Sequence, residues 1–223
     1  MKTKLLALAV TLITATALSA DQTATNPAPR SCCCAAPTAD ITTTNAPRSC
    51  CTSLAAAKPL ADKSLYQLDA SWTNDESEPV KLESLRGRPQ VVAMFFASCH
   101  YTCPLLVFQM KNLEASLPSE LRGKVGFTLV SFDSQRDTPA ALNTYRTAHE
   151  LSRDWTLLRG DANDVLDLAA LLGVKFKQDA QGDFSHSNII TLLNAEGEIV
   201  YQQTGLNPDD HEFASRIEKL VKD

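Results

Sequence analysis

The sequence predicts an α/β domain over residues 64–223, with folded sequence beginning near Leu65. Apolar runs of strand length alternate there with segments of helical periodicity, which is the pattern of a sheet covered by helices. The clearest runs, Val91 to Ala97 and Val125 to Phe132, are rich in β-branched and aromatic residues. Such runs are typical of strands that are buried on both faces. With 44% hydrophobic residues in a chain of 223, one sizeable core is expected.

Helices and a hairpin account for the segments between and after these strands. Helices are predicted over Pro104 to Leu117 and Pro139 to Leu151, and two more begin at the capping residues Asp161 and Asn207. A hairpin from Asn188 to Gln202 follows the third helix. The resulting order is strand, helix, strand, helix, strand, helix, hairpin, helix. This order predicts a thioredoxin-like fold with an added hairpin.

The first 20 residues have the features of a secretory signal peptide. Lys2 and Lys4 precede an uncharged apolar stretch from Leu5 to Ala20, which ends in small residues. The stretch is shorter than the roughly 20 apolar residues that a membrane-spanning helix needs. Cleavage near Ala17 to Ala20 is therefore favoured, and an uncleaved amino-terminal membrane anchor is the alternative. The chain is predicted to be exported, to the periplasm or to the outer side of a membrane.

Residues 21–63 are predicted to form a disordered leader. This segment is rich in Ala, Thr, Pro and Ser and shows neither helical nor strand periodicity. It contains a short duplication, and five of the seven cysteines lie in it: Cys32, Cys33, Cys34, Cys50 and Cys51. Adjacent Cα atoms are about 3.8 Å apart, which is below the usual span of a disulfide. The adjacent thiols favour capture of a soft metal ion, and a tether with redox-labile thiols is the other interpretation.

Charge argues against one class of partner, and cysteine content directs the search for function. The chain has 21 basic and 26 acidic side chains, a net charge of -5, and no basic stripe interleaved with aromatic residues. Nucleic acid is therefore not a predicted partner.

Seven cysteines are an odd number, so internal disulfides alone cannot pair them all. At least one thiol is left for a metal, for redox chemistry or for another chain.

The two remaining cysteines, Cys99 and Cys103, lie in the loop between the first buried strand and the next helix. Open α/β sheets bind their ligands at this end of their strands. A spacing of four residues places both sulfurs on one side of a first helical turn, where the helix dipole favours thiolate over thiol. A metal ion between sulfurs roughly 4 Å apart and a redox disulfide are both compatible with this spacing. A structural disulfide is the third possibility, but it closes a very short loop and removes little chain entropy.

Three motifs in this chain resemble the Sco/SenC family of copper chaperones, which help assemble the dinuclear copper centre of cytochrome c oxidase. The first is the Cys-x-x-x-Cys-Pro loop that ends at Pro104. The second, Ser131 to Pro139, resembles the family's Asp-Pro-x-x-Asp-Thr-Pro segment, with Ser134 in place of the usual proline. The third is His186, which precedes a strand. The motifs follow one another in the family's order.

The resemblance implies a thioredoxin-like scaffold that binds a copper ion through Cys99, Cys103 and His186. It also implies a copper acceptor protein as partner, such as a cytochrome c oxidase subunit. The ligand types agree with this assignment, because two thiolates and an imidazole suit Cu(I) and also hold Cu(II). Zinc accepts the same set with water as a fourth ligand. The identity of the metal therefore comes from the resemblance.

The main alternative is a thiol-disulfide oxidoreductase that uses Cys99 and Cys103 as its redox pair. Thioredoxin-like reductases have a cis-proline before the strand that faces their cysteines. The corresponding segment here, Asp183 to Asn188, contains no proline. The chain is therefore predicted to be a metallochaperone rather than an enzyme.

Several other side chains are predicted to support the site or to have no part in it. Asp133 and Asp137 follow the second buried strand, so they lie at the same edge of the sheet as the cysteines. A role behind the ligands and a plain helix cap are equally favoured for Asp137. The three other histidines, predicted to face solvent, are His100, His149 and His211. Core positions are predicted for Trp72, Trp155, Phe95 and Phe96.

Overall fold

A mixed sheet lies at the centre of the structure, a computed structural model that describes residues 59–180, 182–206 and 210–222. The strands are β1 (Trp72–Asn74), β2 (Pro79–Val80), β3 (Gln90–Phe95), β4 (Gly126–Ser131), β5 (Trp155–Arg159), β6 (Phe176–Gln178), β7 (Phe184–His186), β8 (Ile189–Leu193) and β9 (Ile199–Thr204). The helices are α1 (Thr102–Ser116), α2 (Pro139–Ala148), α3 (Ala162–Leu172) and α4 (Asp210–Lys222). Among the described residues, the sheet order is β2-β1-β5-β4-β3-β8-β9, and β6 pairs with β7 in a ribbon of its own.

Parallel strands form the middle of the sheet and bring the candidate site residues to one edge. β4 pairs in parallel with both β3 and β5, and β8 lies antiparallel against β3. Every residue of β3 and β4 is buried, which confirms the prediction of strands covered on both faces. Since parallel strands end at the same edge, the loops that follow β3 and β4 meet there. These loops carry Cys99 and Asp133.

The element order from β3 to α4 confirms the predicted fold class, while several ends differ from the prediction. β3 and β4 are each shorter than the predicted apolar runs. α1 begins two residues before Pro104, and a proline is tolerated there because first-turn N–H groups have no helical partner. α2 ends at Ala148 rather than Leu151. Glu150 has a φ of 52°, and this left-handed backbone cannot continue a right-handed helix.

Two short strand pairs were not predicted, and one predicted cap is confirmed. The pairs β1–β2 and β6–β7 contain strands of two or three residues, which are too short for alternation to reveal. Asp161 caps α3 as predicted, because its carboxylate accepts from the backbone N–H groups of Asn163 and Asp164 at 2.9 and 3.0 Å. The predicted cap Asn207 lies outside the described residues.

The predicted aromatic core is confirmed and makes the sheet a rigid platform. Trp72, Trp155, Phe95 and Phe96 are all buried. The ring of Trp155 stacks on Phe127 with centroids 5.1 Å apart. Close packing of this kind has low compressibility, so the sheet gives the loops at its edge a firm base.

The amino-terminal assignments remain predictions. Residues 1–58, which include the predicted signal peptide and nearly all of the leader with its five cysteines, lie outside the described residues. In the described part of the chain, none of the helices has the length and apolar character needed to cross a bilayer.

A buried ion pair joins the turn between β1 and β2 to the last turn of α2. The guanidinium of Arg146 donates to both carboxylate oxygens of Asp75, at 2.6 and 2.9 Å, and also to the Trp155 carbonyl at 2.9 Å. The Asp75 side chain is only 3% exposed. Burial opposes its ionisation, but the bonds and charge of Arg146 outweigh that effect and lower the pKa of Asp75 below its ordinary value.

Replacing Asp75 with asparagine is expected to lower the free energy of unfolding by about 3 kcal/mol near neutral pH, because one partner of a buried ion pair is lost. The pKa of Asp75 is lower in the folded than in the unfolded chain. The pair therefore stabilises fully above the ordinary Asp pKa of about 3.9, and its contribution is lost as the pH falls through the folded-state pKa. Denaturant unfolding across this pH range measures the difference.

Asp69→Asn is the matched control, since the Asp69 side chain is 98% exposed and pairs with the exposed Lys81. Its effect is expected to stay below about 0.5 kcal/mol at every pH. A difference between Asp75→Asn and wild type that persists unchanged in acid contradicts the assigned role of the ion pair.

Candidate metal centre

Cys99 and Cys103 lie on the loop from β3 to α1, but they do not share a helical turn as predicted. Cys99 lies three residues before α1, and Cys103 is the second residue of that helix. A bend of the loop brings them together, and the backbone N–H of Cys103 donates to the Cys99 sulfur at 3.3 Å. Both are free thiols. Cys99 is half-buried, whereas Cys103 is 0% exposed.

The two thiols differ in how easily they ionise. Partial burial opposes ionisation of Cys99, but hydrogen bonds from the Cys103 and Tyr101 backbone outweigh it and lower the pKa of Cys99. Burial raises the pKa of Cys103 well above its ordinary value, and the neighbouring Cys99 adds to the effect. The predicted shift toward thiolate is therefore seen for Cys99 and not for Cys103. A bound cation offsets the cost of ionising the buried sulfur.

His186, the last residue of β7, completes a three-residue cluster with the cysteines. Its Nδ1 lies 3.3 Å from the Ser187 carbonyl, so Nδ1 carries the proton and Nε2 is the acceptor nitrogen. Nε2 lies 3.6 Å from the Cys103 sulfur. The ligand atoms of Cys99, Cys103 and His186 all lie within 4.8 Å of one another. The structure therefore brings together the three residues that the resemblance implies.

Burial favours the neutral form of the His186 imidazole. The ring is half-buried, and burial lowers its pKa, although the hydrogen bond to Ser187 acts in the opposite direction. Neutral imidazole is the form that binds metals. The ring centroid lies 5.1 Å from that of Phe132 and 5.9 Å from that of Phe96. These contacts form an apolar wall behind the imidazole.

The ribbon that carries His186 is attached to the main sheet by aromatic packing. Phe176 of β6 stacks on Phe132 with centroids 5.1 Å apart, and Phe184 of β7 meets the same ring edge-on at 5.1 Å. The sequence prediction placed His186 before a strand and missed this ribbon. One signal was present: two short segments that each contain phenylalanine flank the turn-forming Gly182.

Asp137 supports the cysteine loop and does not cap the helix. Thr138 is the cap of α2, because its hydroxyl accepts from the Ala141 backbone at 3.2 Å. Asp137 is 2% exposed and accepts from the Ala97 backbone N–H at 2.8 Å and from the Ser131 hydroxyl. It joins the end of β4 to the loop that leads to Cys99. Of the two roles predicted for Asp137, the cap is therefore wrong.

Asp133 and Arg136 connect the loop after β4 to the ribbon. Asp133 is 2% exposed and forms an ion pair with Arg136. The guanidinium of Arg136 also donates to the Gly182 carbonyl at 2.6 Å, in the turn of the ribbon. Its charge lies 5.7 Å from the Phe184 ring centre, within the range of a cation–π contact. Sequence reasoning did not single out Arg136 as a site residue.

Thr102 is the other residue that the sequence analysis missed. Its hydroxyl lies 3.1 Å from His186 Nε2 and 3.6 Å from the Cys99 sulfur. Its place between the two cysteines was visible in the sequence, but the contact with a histidine 84 residues away was not.

The other three histidines lie elsewhere. His100 and His211 are exposed, and His149 lies at the end of α2, where its ring stacks on that of Tyr145 with centroids 4.1 Å apart. None of these three is part of the cluster.

Comparison with known proteins assigns the family. The SCO1/SenC family model matches residues 58–222. A proposed copper-binding protein of Stutzerimonas stutzeri is 29% identical over 142 residues, covering 62% of this chain and 68% of that protein.

Solved structures share the fold. Copper-bound ScoI of Bradyrhizobium japonicum has a TM-score of 0.59 at 22% identity, covering 68% of this chain and 96% of that one. BsSco, a member of the Sco family of cytochrome c oxidase assembly proteins, has a TM-score of 0.59 at 21% identity, covering 68% and 91%. Since the family model spans most of the chain and the motif residues meet at one sheet edge, this chain belongs to the SCO1/SenC family.

Proposed function

We propose that this chain binds one copper ion through the sulfurs of Cys99 and Cys103 and the Nε2 atom of His186, and delivers it to an acceptor protein. The convergence of these ligand atoms within 4.8 Å of one another carries the proposal. Family membership and the copper-bound relative support copper as the metal.

The donor set suits copper better than zinc. Two soft thiolates and one imidazole make a three-coordinate set, which Cu(I) accepts without a further ligand, whereas zinc needs water as a fourth ligand. Among the described residues, no fourth Cys, His, Asp or Glu joins the cluster. The apolar wall of Phe96 and Phe132 also favours a soft ion of low charge over a strongly hydrated one.

The unequal exposure of the two sulfurs supports delivery by stepwise ligand exchange. An incoming ligand of an acceptor can reach the half-buried Cys99, while Cys103 is closed to solvent. Cys99 is therefore the first ligand to be replaced and Cys103 a later one. Tyr101 and Leu105, which are 84% and 55% exposed, lie within two residues of Cys103 in the chain, so an acceptor that approaches the cysteine loop meets apolar side chains.

We place this activity outside the cytoplasm, with residues 1–20 as the export signal and residues 21–63 as a leader that tethers the domain or captures additional Cu(I). The apolar stretch behind two lysines supports export. The dinuclear copper site of a cytochrome c oxidase subunit is the acceptor that the family suggests, since BsSco belongs to a family of oxidase assembly proteins.

A thiol-disulfide oxidoreductase is the second candidate, and one observation favours it. The pKa of the accessible Cys99 is lowered while that of the buried Cys103 is raised, and such a pair suits attack by one thiol and resolution by the other. The imidazole within 3.6 Å of the Cys103 sulfur is a ligand that this chemistry does not need, which makes the metal site the better conclusion.

Anaerobic copper loading tests the proposed function. The chain is prepared with all five leader cysteines changed to serine, so that only the folded domain supplies thiols, and copper, zinc and free thiols are counted per chain. One copper ion per chain is expected, together with its transfer to an apo dinuclear copper domain of cytochrome c oxidase. A chain that binds no copper and instead reduces disulfides supports the second candidate.

A further inference from the structure

We propose that Thr102 is a positioning residue whose hydroxyl holds His186 in the metal-free protein and turns to the Cys99 sulfur when copper binds. This inference rests on the proposed function and concerns the same site. Thr102 is the first residue of α1 and is half-buried. Its hydroxyl lies between the two groups, 3.1 Å from His186 Nε2 and 3.6 Å from the Cys99 sulfur.

The direction of the contact with His186 follows from the other ring nitrogen. Nδ1 faces the Ser187 carbonyl, which can only accept, so Nδ1 carries the ring proton. Nε2 is then an acceptor, and the Thr102 hydroxyl donates to it. This bond complements the packing of the ring on Phe132 and aims the Nε2 lone pair at α1, where Cys103 lies.

That lone pair is also the one a metal needs. Copper can bind Nε2 only when the hydrogen bond from the Thr102 hydroxyl to Nε2 is broken. The Cys99 sulfur can become the new acceptor of this hydrogen bond. The Thr102 hydroxyl already lies 3.6 Å from it, and a metal-bound cysteine is a thiolate. One hydrogen bond is exchanged for another to a charged acceptor, which is the stronger kind. Breaking the contact with His186 is thereby offset.

This exchange gives Thr102 two measurable effects. In the metal-free protein it keeps the three ligand atoms together. In the copper-bound protein it places a proton donor on the Cys99 thiolate, which lowers the energy of the sulfur electrons and raises the energy of sulfur-to-Cu(II) charge transfer. Hydrogen bonding around a ligating cysteine sulfur also tunes the redox potential of copper sites.

The test compares Thr102→Val, which keeps the shape but lacks the hydroxyl, with Thr102→Ser, which keeps the hydroxyl. In the metal-free chain, the nitrogen NMR shift of His186 Nε2 is expected to move toward that of a non-bonded imidazole nitrogen in Thr102→Val only. With Cu(II) bound, the charge-transfer band of Thr102→Val is expected at longer wavelength, while Thr102→Ser stays close to wild type. Thr147→Val, on an exposed turn of α2, is the control for the substitution itself.

Either of two results for Thr102→Val overturns the proposal: an unchanged Nε2 shift, or a charge-transfer band at the wild-type position. Equal spectra for the serine and valine variants do the same, since they show that the hydroxyl is irrelevant. Thr102→Ala replaces the valine variant if the latter folds poorly. A wild-type chain without any charge-transfer band refutes the proposed function, and the metal-free shift still decides whether Thr102 holds His186.

Discussion

Replacing either Cys99 or Cys103 with alanine is expected to abolish copper binding by the folded domain, with the loss of thiolate-to-copper absorption and of affinity by more than about 100-fold. Each change removes one of only two thiolates in the cluster. The remaining sulfur and imidazole leave the ion undercoordinated and its charge poorly neutralised. Copper titration with absorption and competition measurements, in the background without leader cysteines, reads this result directly.

The two cysteine variants also differ in a way that the structure predicts. Cys103 is buried in the core cluster, so its truncation costs some stability as well, while Cys99→Ala is expected to fold like wild type. Ser98→Ala, an exposed position in the same loop, is the matched control and is expected to bind copper normally. A double variant that keeps stoichiometric copper would end the assignment of this site.

The fold was predictable from the sequence because its decisive strands are long and continuous. β3 and β4 are uniformly buried runs, and their loops place Cys99 and Asp133 at one edge whatever the details of the helices. The predicted helix ends were less accurate. α2 stops just before Glu150, whose left-handed backbone conformation cannot be inferred from the neighbouring sequence. Asp137 shows the same limit, because Thr138 was an equally good cap and the Ala97 N–H decided between them.

The third proposed ligand, His186, was not predictable from residue pattern alone. His186 is 83 residues beyond Cys103, and it reaches the cluster only because the β6–β7 ribbon packs on Phe132 and Arg136 holds its turn. Strands of three residues leave no periodicity to detect. The family resemblance supplied the assignment of His186, and the geometry supplies its physical cause.

His186→Ala is expected to lower copper affinity, and to lower it most for Cu(II), while leaving any disulfide reductase activity unchanged. Without the imidazole, Cys99 and Cys103 can still hold Cu(I), because soft thiolates suit that ion at low coordination number. Cu(II) prefers more ligands and a nitrogen donor among them. We expect a loss of about 100-fold for Cu(II) and about tenfold for Cu(I).

The histidine variant separates the two candidate functions because each assigns His186 a different importance. Thiol-disulfide exchange at Cys99 and Cys103 does not require the imidazole, whereas a three-ligand copper site does. His100→Ala is the matched control, since that imidazole is exposed between the two cysteines and is expected to have no effect on either activity. Two results would make the oxidoreductase the better description: copper binding that is unchanged in His186→Ala, or reduction of model disulfides by the wild type at thioredoxin-like rates. In either case the Nε2 contact with Cys103 would not be explained by metal binding.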